Sequence, residues 1–444
     1  MAATAVLIGA GDRGMIYAGF ALAHPERLKV VAVAEPDPAR RERAARLHGI
    51  PPERRYRDWA ELLAEPRLAD GCIVATQDRL HVEPCLAAFE AGYHVLLEKP
   101  MALSEPDCAR VAEAARGSGR ALSVCHVLRH TAFWKAAKAV VDRGDIGEPY
   151  SIFHAENVSY HHMAHSYVRG NWRDSASASP MILAKCCHDL DLIAWLAGRR
   201  PLRVASFGAL SHFRPENAPP GATPRCTDGC RAECQYDAVD TYLRGRHMKL
   251  ALRKAGSAPV RAAMGLLLRA PGLCRLVPGL GRYVDWPEWP TSTITTDLSE
   301  AGVMRALREG PYGRCVYACD NDQVDHQETI FDFEGGLTAT LRMQGHSHLE
   351  GRTLRIDGSR GTLLGTFGGG GGLEVHRHRD GRRARYPVRS DAYGHAEGDR
   401  GMIERFTEIL EGRTEASPAD EALMSHRMAF AAHESRAGGR VVSL

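Results

Sequence analysis

The chain contains no uncharged apolar run of the roughly 18 residues that a spanning helix needs. Its opening, Met1-Ala-Ala-Thr-Ala-Val-Leu-Ile-Gly, has neither the basic segment nor the cleavable apolar core of a secretory signal. The expectation is a cytoplasmic protein with reduced thiols. Twelve cysteines in 444 residues are too dilute for a disulfide scaffold, and none form paired C-x-x-C modules. A charge excess of one sign is also missing. The 57 basic and 54 acidic residues leave a net +3, so no nucleic-acid partner is expected. Aromatics are sparse at 7%. What remains is globular in type, with 44% hydrophobic and 25% charged residues, which excludes a disordered or fibrous chain. No internal repeat is evident.

From Ala5 the sequence reads Ala-Val-Leu-Ile-Gly-Ala-Gly-Asp-Arg-Gly, an apolar strand entering Gly9, Gly11 and Gly14 at G-x-G-x-x-G spacing. Gly9 suits a tight turn, Gly11 lets backbone approach a pyrophosphate, and Gly14 lets the following helix pack closely. Free N–H groups at that helix start, around Asp12 and Arg13, favour an anion. A second strand, Leu28 to Ala34, ends at Glu35, 21 residues past Gly14. A carboxylate there accepts both ribose hydroxyls and repels a 2′-phosphate, which favours NAD. Arg40 and Arg41 keep NADP open.

The βα alternation continues through a strand at Gly71 to Thr76, a helix at His81 to Ala91 and a strand at Tyr93 to Leu97. A helix at Ser104 to Gly117 and a strand at Ala121 to Val127 follow. This rhythm predicts an α/β fold with a doubly wound parallel sheet. Thr76, Asp78, His81, Glu98, Lys99 and His126 fall at strand carboxyl ends, where such sheets bind ligands.

These segments resemble the Gfo/Idh/MocA family, the glucose–fructose oxidoreductase and inositol dehydrogenase group. The resemblance rests on Gly9 to Gly14, Ala75-Thr-Gln-Asp-Arg-Leu-His81, Glu90-Ala91-Gly92 and Val95-Leu-Leu-Glu-Lys-Pro-Met101. It extends to Lys185-Cys-Cys-His-Asp-Leu-Asp-Leu192, with His188 and Asp191. It runs to about residue 200 and recurs near 324–364 and in the carboxyl-terminal helices. It implies a Rossmann domain over 1–125, then an α/β domain over 126–444 with an open, largely antiparallel sheet that often forms an oligomer interface. A homodimer or homotetramer is the corresponding expectation. It further implies a nicotinamide cofactor and hydride transfer at a secondary alcohol of a sugar or cyclitol. Lys99 would lie between nicotinamide and substrate, with His188 as the signature histidine.

Oxidising an alcohol requires a base for the hydroxyl proton, and Lys99 and His188 are the candidates. The family commonly carries an aspartate four residues before the histidine, where this chain has Ala184. The adjacent Lys185 is expected to assist, two lysines in one pocket depressing each other's pKa. Lys185, His188 and Asp189 stand at i, i+3 and i+4, so one helix face is expected to carry all three.

Between the signatures, Tyr160, His165, Arg169, Asn171, Trp172 and Arg173 read as a polar wall for a hydroxyl-rich ligand, joined by Arg129, His130 and Asp189. His161, His162 and His165 lack convincing ligand spacing, so no metal site is assigned.

Similarity fades after Phe213, and about a hundred residues, 213–313, read as an insertion. Cys226, Cys230 and Cys234 fit zinc with a fourth ligand from elsewhere, a disulfide, or plain thiols. Thr241 to Val284 holds nine Lys or Arg and no acid, followed by Trp286 and Trp289. A solvated basic face accounts for 241–289 more readily than membrane-surface contact does. Farther on, Glu328 to Leu341 reads as a hairpin, Gly368 to Gly372 as a loop, and Met402 to Leu410 and Glu421 to Ala432 as helices. The sequence therefore points to an NAD(P)-dependent dehydrogenase acting on a carbohydrate, cyclitol or glycoside hydroxyl. Glycoside cleavage through transient oxidation, and a non-catalytic dinucleotide sensor, are the rival readings.

Overall fold

The computed structural model describes residues 2–348, 350–368, 370–388 and 396–444. Continuous apolar runs near the amino terminus form strands buried on both faces, as a parallel sheet requires. They are β1 (Ala3–Ile8), β2 (Leu28–Ala34), β3 (Arg55–Tyr56), β4 (Gly71–Val74), β5 (His94–Leu97) and β6 (Leu122–Val124). Their order is β3-β2-β1-β4-β5-β6 and every pairing is parallel. Helices Asp12–Ala23, Pro38–His48, Val82–Glu90 and Glu105–Ser118 make the crossovers. The order reverses between β1 and β4, which opens a crevice at their carboxyl ends.

The second sheet holds β7 (Pro149–Ser159), β8 (Pro201–Ala209), β9 (His326–Phe333), β10 (Thr338–Ser347) and β11 (Gly351–Gly358). It is completed by β12 (Gly361–Phe367), β13 (Leu373–Arg377), β14 (Arg383–Tyr386) and β15 (Val442–Ser443). The order is β14-β13-β12-β11-β7-β10-β9-β8-β15, and only the β7–β10 pair is parallel. The expected hairpin is β9–β10; its turn places Gly335 and Gly336 at φ of 75° and 80°, which L side chains avoid. Helix Cys187–Ala197 packs on this sheet, with Leu190, Ile193 and Leu196 in a core shared with Trp134, Ile152 and Leu341.

The chain end ties the two sheets together. Helix Ala396–Leu410 buries Met402, Ile403 and Phe406 against Leu7, Tyr17 and Ile73 of the first domain. Helix Ala419–Gly438 places Leu423 in the first domain's other core and Met428, Ala429 and Ala432 in the second.

The long connection from β8 to β9 carries the inserted residues. Helices Arg246–Ala255, Ala258–Arg269 and Glu300–Glu309 surround two small cores, one of Ala238, Tyr242, Val303 and Leu307, the other of Met264, Leu267, Cys274 and Val284. Leu276 of the basic stretch is 81% exposed. Within the expected glycine loop, Gly369 lies outside the described residues. Among the described residues no helix is long and apolar enough to cross a membrane.

Candidate active site

The glycine turn is built as its spacing predicts. A Cβ on Gly9 would stand 2.5 Å from the Ala75 carbonyl oxygen, and one on Gly14 would stand 2.0 Å from that of Gly9. At Gly11, which caps helix Asp12–Ala23, a Cβ would meet nothing within 4 Å. This open space beside unpaired helix N–H groups fits a dinucleotide pyrophosphate. Asp12 is exposed at the first helical position. Glu35 closes β2, its Oε2 accepting from Ala10 N at 2.7 Å and its Oε1 from Asp37 N at 3.0 Å. The Arg40 side chain is exposed just beyond, on the first turn of helix Pro38–His48.

Arg13 is placed differently from the expectation. Its Nε donates to Glu98 Oε1 at 2.6 Å and its two η nitrogens grip Asp399 of the carboxyl-terminal helix. The guanidinium is thus a clamp between the two ends of the chain, not a free phosphate ligand. Burial works against the Glu98 charge, but Arg13 and Lys99 outweigh it and hold the carboxyl below its usual range. Glu98 Oε2 also accepts from Lys99 N at 2.6 Å, which fixes the residue carrying the candidate base.

Other expected cofactor contacts turn out to shape the crevice. His81 is buried, with Nδ1 2.7 Å from Pro100 O and Nε2 3.3 Å from Thr76 O, so its ring joins two strand-end loops. Thr76 Oγ1 donates to Leu80 O. Asp78 accepts from Trp172 Nε1 at 3.2 Å and so links the first domain to the second.

Lys99 reaches across the crevice, donating from Nζ to Ala184 O at 3.0 Å. His188 opens the next helix and is buried, its ring meeting that of His126 edge-on at 6.0 Å between centroids. His126 lies past the end of β6, with Nδ1 2.9 Å from Asp191 Oδ1. In that contact Nδ1 faces the carboxylate as donor. Nε2 is buried with no protein partner among the described residues. Arg129 grips Asp191 through Nε and Nη2 at 2.6 and 2.7 Å. Burial opposes the Asp191 charge, but His126 and Arg129 bring its carboxyl down to about 2. His426, from the last helix, lies 5.7 Å from His126 and accepts from Met101 N at 2.9 Å. The sequence marked His126 as a crevice residue without giving it a role and gave no sign of His426, whose helix lies some three hundred residues away in the chain.

Lys185 and Asp189 serve another cluster. The helical run breaks after Ala184, and Cys187 begins a new helix, so Lys185 and His188 do not share a helix face. Lys185 Nζ lies 3.2 Å from Glu156 Oε1 and 3.0 Å from Glu350 Oε1. Burial alone would depress its pKa, but the two carboxylates raise it well above the ordinary lysine value. This reverses the expected mutual depression with Lys99 and makes Lys185 a fixed cation. Asp189 is fully buried, with Oδ1 2.7 Å from both His154 Nε2 and Arg352 Nε, and so is not a substrate contact.

The expected polar wall is mostly occupied. Tyr160 OH pairs with His247 Nδ1 at 2.7 Å, and His165 Nδ1 with Tyr242 OH at 2.9 Å, so both face the inserted segment. Arg169 is only 1% exposed and donates to Arg314 O and Tyr236 O. Arg173 pairs with Asp320, and Arg129 is committed to Asp191. His130 is half-buried against Gly401, its pKa lowered to about 4 by burial and then by Lys135 and Arg129. Asn171 and Trp172 alone stay exposed, at the edge of the crevice. Among the described residues, no group of three or more His, Cys, Asp or Glu is arranged to hold a metal ion.

A doubly wound parallel sheet with this glycine turn, joined to a second, mostly antiparallel sheet carrying the histidine helix, is the architecture of a two-sheet α/β protein with a Rossmann dinucleotide-binding fold. The family model described as "Oxidoreductase family, NAD-binding Rossmann fold" matches residues 3–126, and the GFO/IDH/MocA C-terminal domain matches residues 134–242. The chain belongs to the Gfo/Idh/MocA oxidoreductase family. It is 33% identical over 156 residues to 1,5-anhydro-D-fructose reductase of Ensifer adhaerens, covering 34% of this chain and 44% of that protein. It is 34% identical over 173 residues to inositol 2-dehydrogenase of Pseudomonas fluorescens, covering 38% and 46%. The chain thus spans under half the length of these curated relatives. An Agrobacterium radiobacter oxidoreductase solved with NAD+, L-tartaric acid and magnesium shares the fold, with a TM-score of 0.66 and 17% identity over 100% of this chain and 98% of that one.

Proposed function

We propose that the protein is an NAD(P)-dependent dehydrogenase oxidising a secondary hydroxyl of a sugar, cyclitol or glycoside. The observation that supports this best is the position of Lys99, which leaves β5 at the dinucleotide crevice and reaches Ala184 of the other domain. Relatives named as an inositol 2-dehydrogenase and a 1,5-anhydro-D-fructose reductase take a cyclitol and a sugar derivative, which supports that substrate class.

The nicotinamide, when bound, accepts the hydride. The chain's part is to orient the alcohol and handle its proton. The N–H groups after Gly11 hold the diphosphate, and Glu35 accepts the ribose hydroxyls, which favours NAD. The exposed Arg40 is the residue that would admit NADP. Lys99 Nζ takes the hydroxyl proton, and His188 shares the transfer, backed by His126, which Asp191 orients through Nδ1. Lys185 contributes a fixed positive charge near Ala184 and no proton step. The outer sheet face, with Phe207 and Ile330 exposed, suits self-association into a dimer or tetramer.

The test is NAD reduction followed at 340 nm over a panel of sugars, inositols and glycosides, comparing the parent with Lys99→Ala. Turnover by the parent that is lost in the variant is expected. Cofactor binding without turnover of any compound would return the sensor reading. Cleaved product without net NADH would indicate transient oxidation followed by elimination.

A further inference from the structure

The basic half of the insertion folds on itself. Helix Ala258–Arg269 packs on helix Arg246–Ala255 and on the short helix Pro271–Cys274. Their core of Met264, Leu267, Cys274 and Val284 takes its apolar neighbours, Leu252, Val260, Ala263, Leu280 and Tyr283, from the same stretch. The outer side of this unit carries bare apolar groups. Leu273 is 65% exposed and Leu276 81%, and Leu266 and Val277 are exposed beside them in the chain. Positions 273, 276 and 277 stand at i, i+3 and i+4. Backbone bonds from Leu276 N to Leu273 O and from Val277 N to Cys274 O continue the helical turn, so these three side chains share one side. Of the fourteen large apolar side chains exposed among the described residues, four fall within residues 266–277, a concentration that scattered surface leucines do not produce. A solvated basic face does not account for it either.

Around these leucines the charge is of one sign. Residues 241–284 hold nine of the 57 basic residues and none of the 54 acidic ones, so the rest of the chain is net −6. Arg244 and Arg275 are paired with Asp240 and Asp285, and Lys249 is buried on the carbonyls of Arg244 and Val284. The other six, Arg246, Arg253, Lys254, Arg261, Arg269 and Arg282, are exposed and enter no ion pair among the described residues. A protein partner is poorly matched to this surface, because four side chains fall well short of the roughly 20–30 residues that each side of a specific interface uses. A nucleic acid would use the cations and leave the leucines in water. An anionic bilayer takes both. Its acyl boundary receives the leucines, and the long Arg and Lys stems keep the charged heads among the phosphates.

We propose that this tip docks the protein on the surface of an anionic lipid bilayer, with Leu266, Leu273, Leu276 and Val277 seated at the boundary between headgroups and acyl chains and the six unpaired cations on lipid phosphates. The contact is peripheral, since no helix among the described residues is long and apolar enough to cross. Either signal alone gives marginal, reversible binding, and the two together make it stable. The docking surface is separate from the crevice at Lys99 and holds whatever hydroxyl is oxidised there.

The test is sedimentation of the untagged full-length chain with vesicles of phosphatidylcholine alone or mixed with phosphatidylglycerol, in low and in high salt. Binding to the anionic vesicles in low salt should exceed binding to pure phosphatidylcholine by about tenfold or more, and high salt should remove most of it. Leu273→Ser with Leu276→Ser, and separately Arg261→Glu with Arg269→Glu, should each lower partitioning about tenfold or more. Leu298→Ser, an exposed leucine outside the tip, should leave it unchanged. A parent that binds no vesicles overturns the proposal, as does equal binding to neutral and anionic vesicles. Unchanged binding by the leucine pair variant also overturns it, because the contact would then be the electrostatic one that any polyanion makes. A dimer that the leucine variant dissociates, in a parent that ignores vesicles, would assign the tip to a second copy of the chain instead. If a variant does not fold, the lipid and salt dependence of the parent still decides.

Discussion

Lys99 Nζ donates its 3.0 Å hydrogen bond to the backbone oxygen of Ala184, the residue standing where the family commonly carries an aspartate. A carbonyl orients the amine but brings no full negative charge beside it. Ala184→Asp would add that charge and hold the ammonium form more tightly. The acid limb of kcat/KM is expected to move to higher pH by about one unit. Lys99→Ala should lower kcat by about 10²- to 10⁴-fold while cofactor binding, read by fluorescence titration, stays within a small factor. An unmoved pH profile would remove Lys99 as the governing base.

Lys185 is expected to matter for folding more than for rate. Its ammonium neutralises Glu156 and Glu350 on the far side of Ala184, and Glu156 is itself pushed up to about 7 by burial despite Arg352 and Lys185. Lys185→Met removes the cation the two carboxylates share and leaves Glu156 with Arg352 and Glu350 with His162, a loss of about 2–3 kcal/mol. Adding Glu156→Gln should recover part of it. Urea unfolding of the single and double variants measures both effects. A stable Lys185→Met variant with a collapsed kcat would instead make the lysine part of the reaction.

The first sheet was legible in the sequence because its signals are local. Gly9, Gly11 and Gly14 set one turn, and each strand from β1 to β6 carries its own apolar run. β7 was hidden for the opposite reason. It buries His154 and Glu156 completely, which breaks the apolar alternation, and both are ion-paired with partners distant in sequence, Asp189 and Arg352. The same kind of distance misplaced Arg169, Asp189 and Arg13. Each is polar within a site-like motif, and nothing nearby in the chain shows that Arg314, Arg352 or Asp399 will claim it. His188 and Lys99 stand out as candidates because their motifs are contiguous, whereas the position of His426 beside His126 required the tertiary return of the last helix.

Acid should loosen the contact between residues 160–169 and the insertion. His165 is held at about 3 by burial first, then by His162 and Arg169, and it packs against Tyr242, Tyr312, Trp289 and Thr293. His161 and His247, stacked on each other, are lowered to about 3 and about 4. These folded values lie below the unfolded value of about 6.5. The unfolded state therefore binds more protons in between, and stability is complete above pH ~6.5 and falls as pH drops toward the folded values. For the nearly buried His165 the loss at pH 5 is roughly 2 kcal/mol. Hydrogen-exchange protection factors over 236–250 and 286–294, which divide out the intrinsic pH dependence of exchange, should fall between pH 7 and pH 5, and His165→Gln should flatten that dependence. Equal protection factors at both pH values would contradict the assignment.

Glu35, the proposed ribose acceptor, braces the glycine turn, since its carboxylate accepts Ala10 N and Asp37 N. Removing it should act on the cofactor in two ways. Glu35→Ala loses the ribose acceptor and releases Ala10, so kcat/KM for NAD should fall by about tenfold or more. The repulsion toward a 2′-phosphate disappears at the same time, so NADP should lose much less or gain. Arg40 is exposed on the next helix. Arg40→Ala should therefore leave NAD kinetics within a small factor and weaken only NADP. The ratio of kcat/KM for the two cofactors across the parent and both variants separates these effects. An equal fall for both cofactors in Glu35→Ala would mean that its carboxylate serves the turn alone.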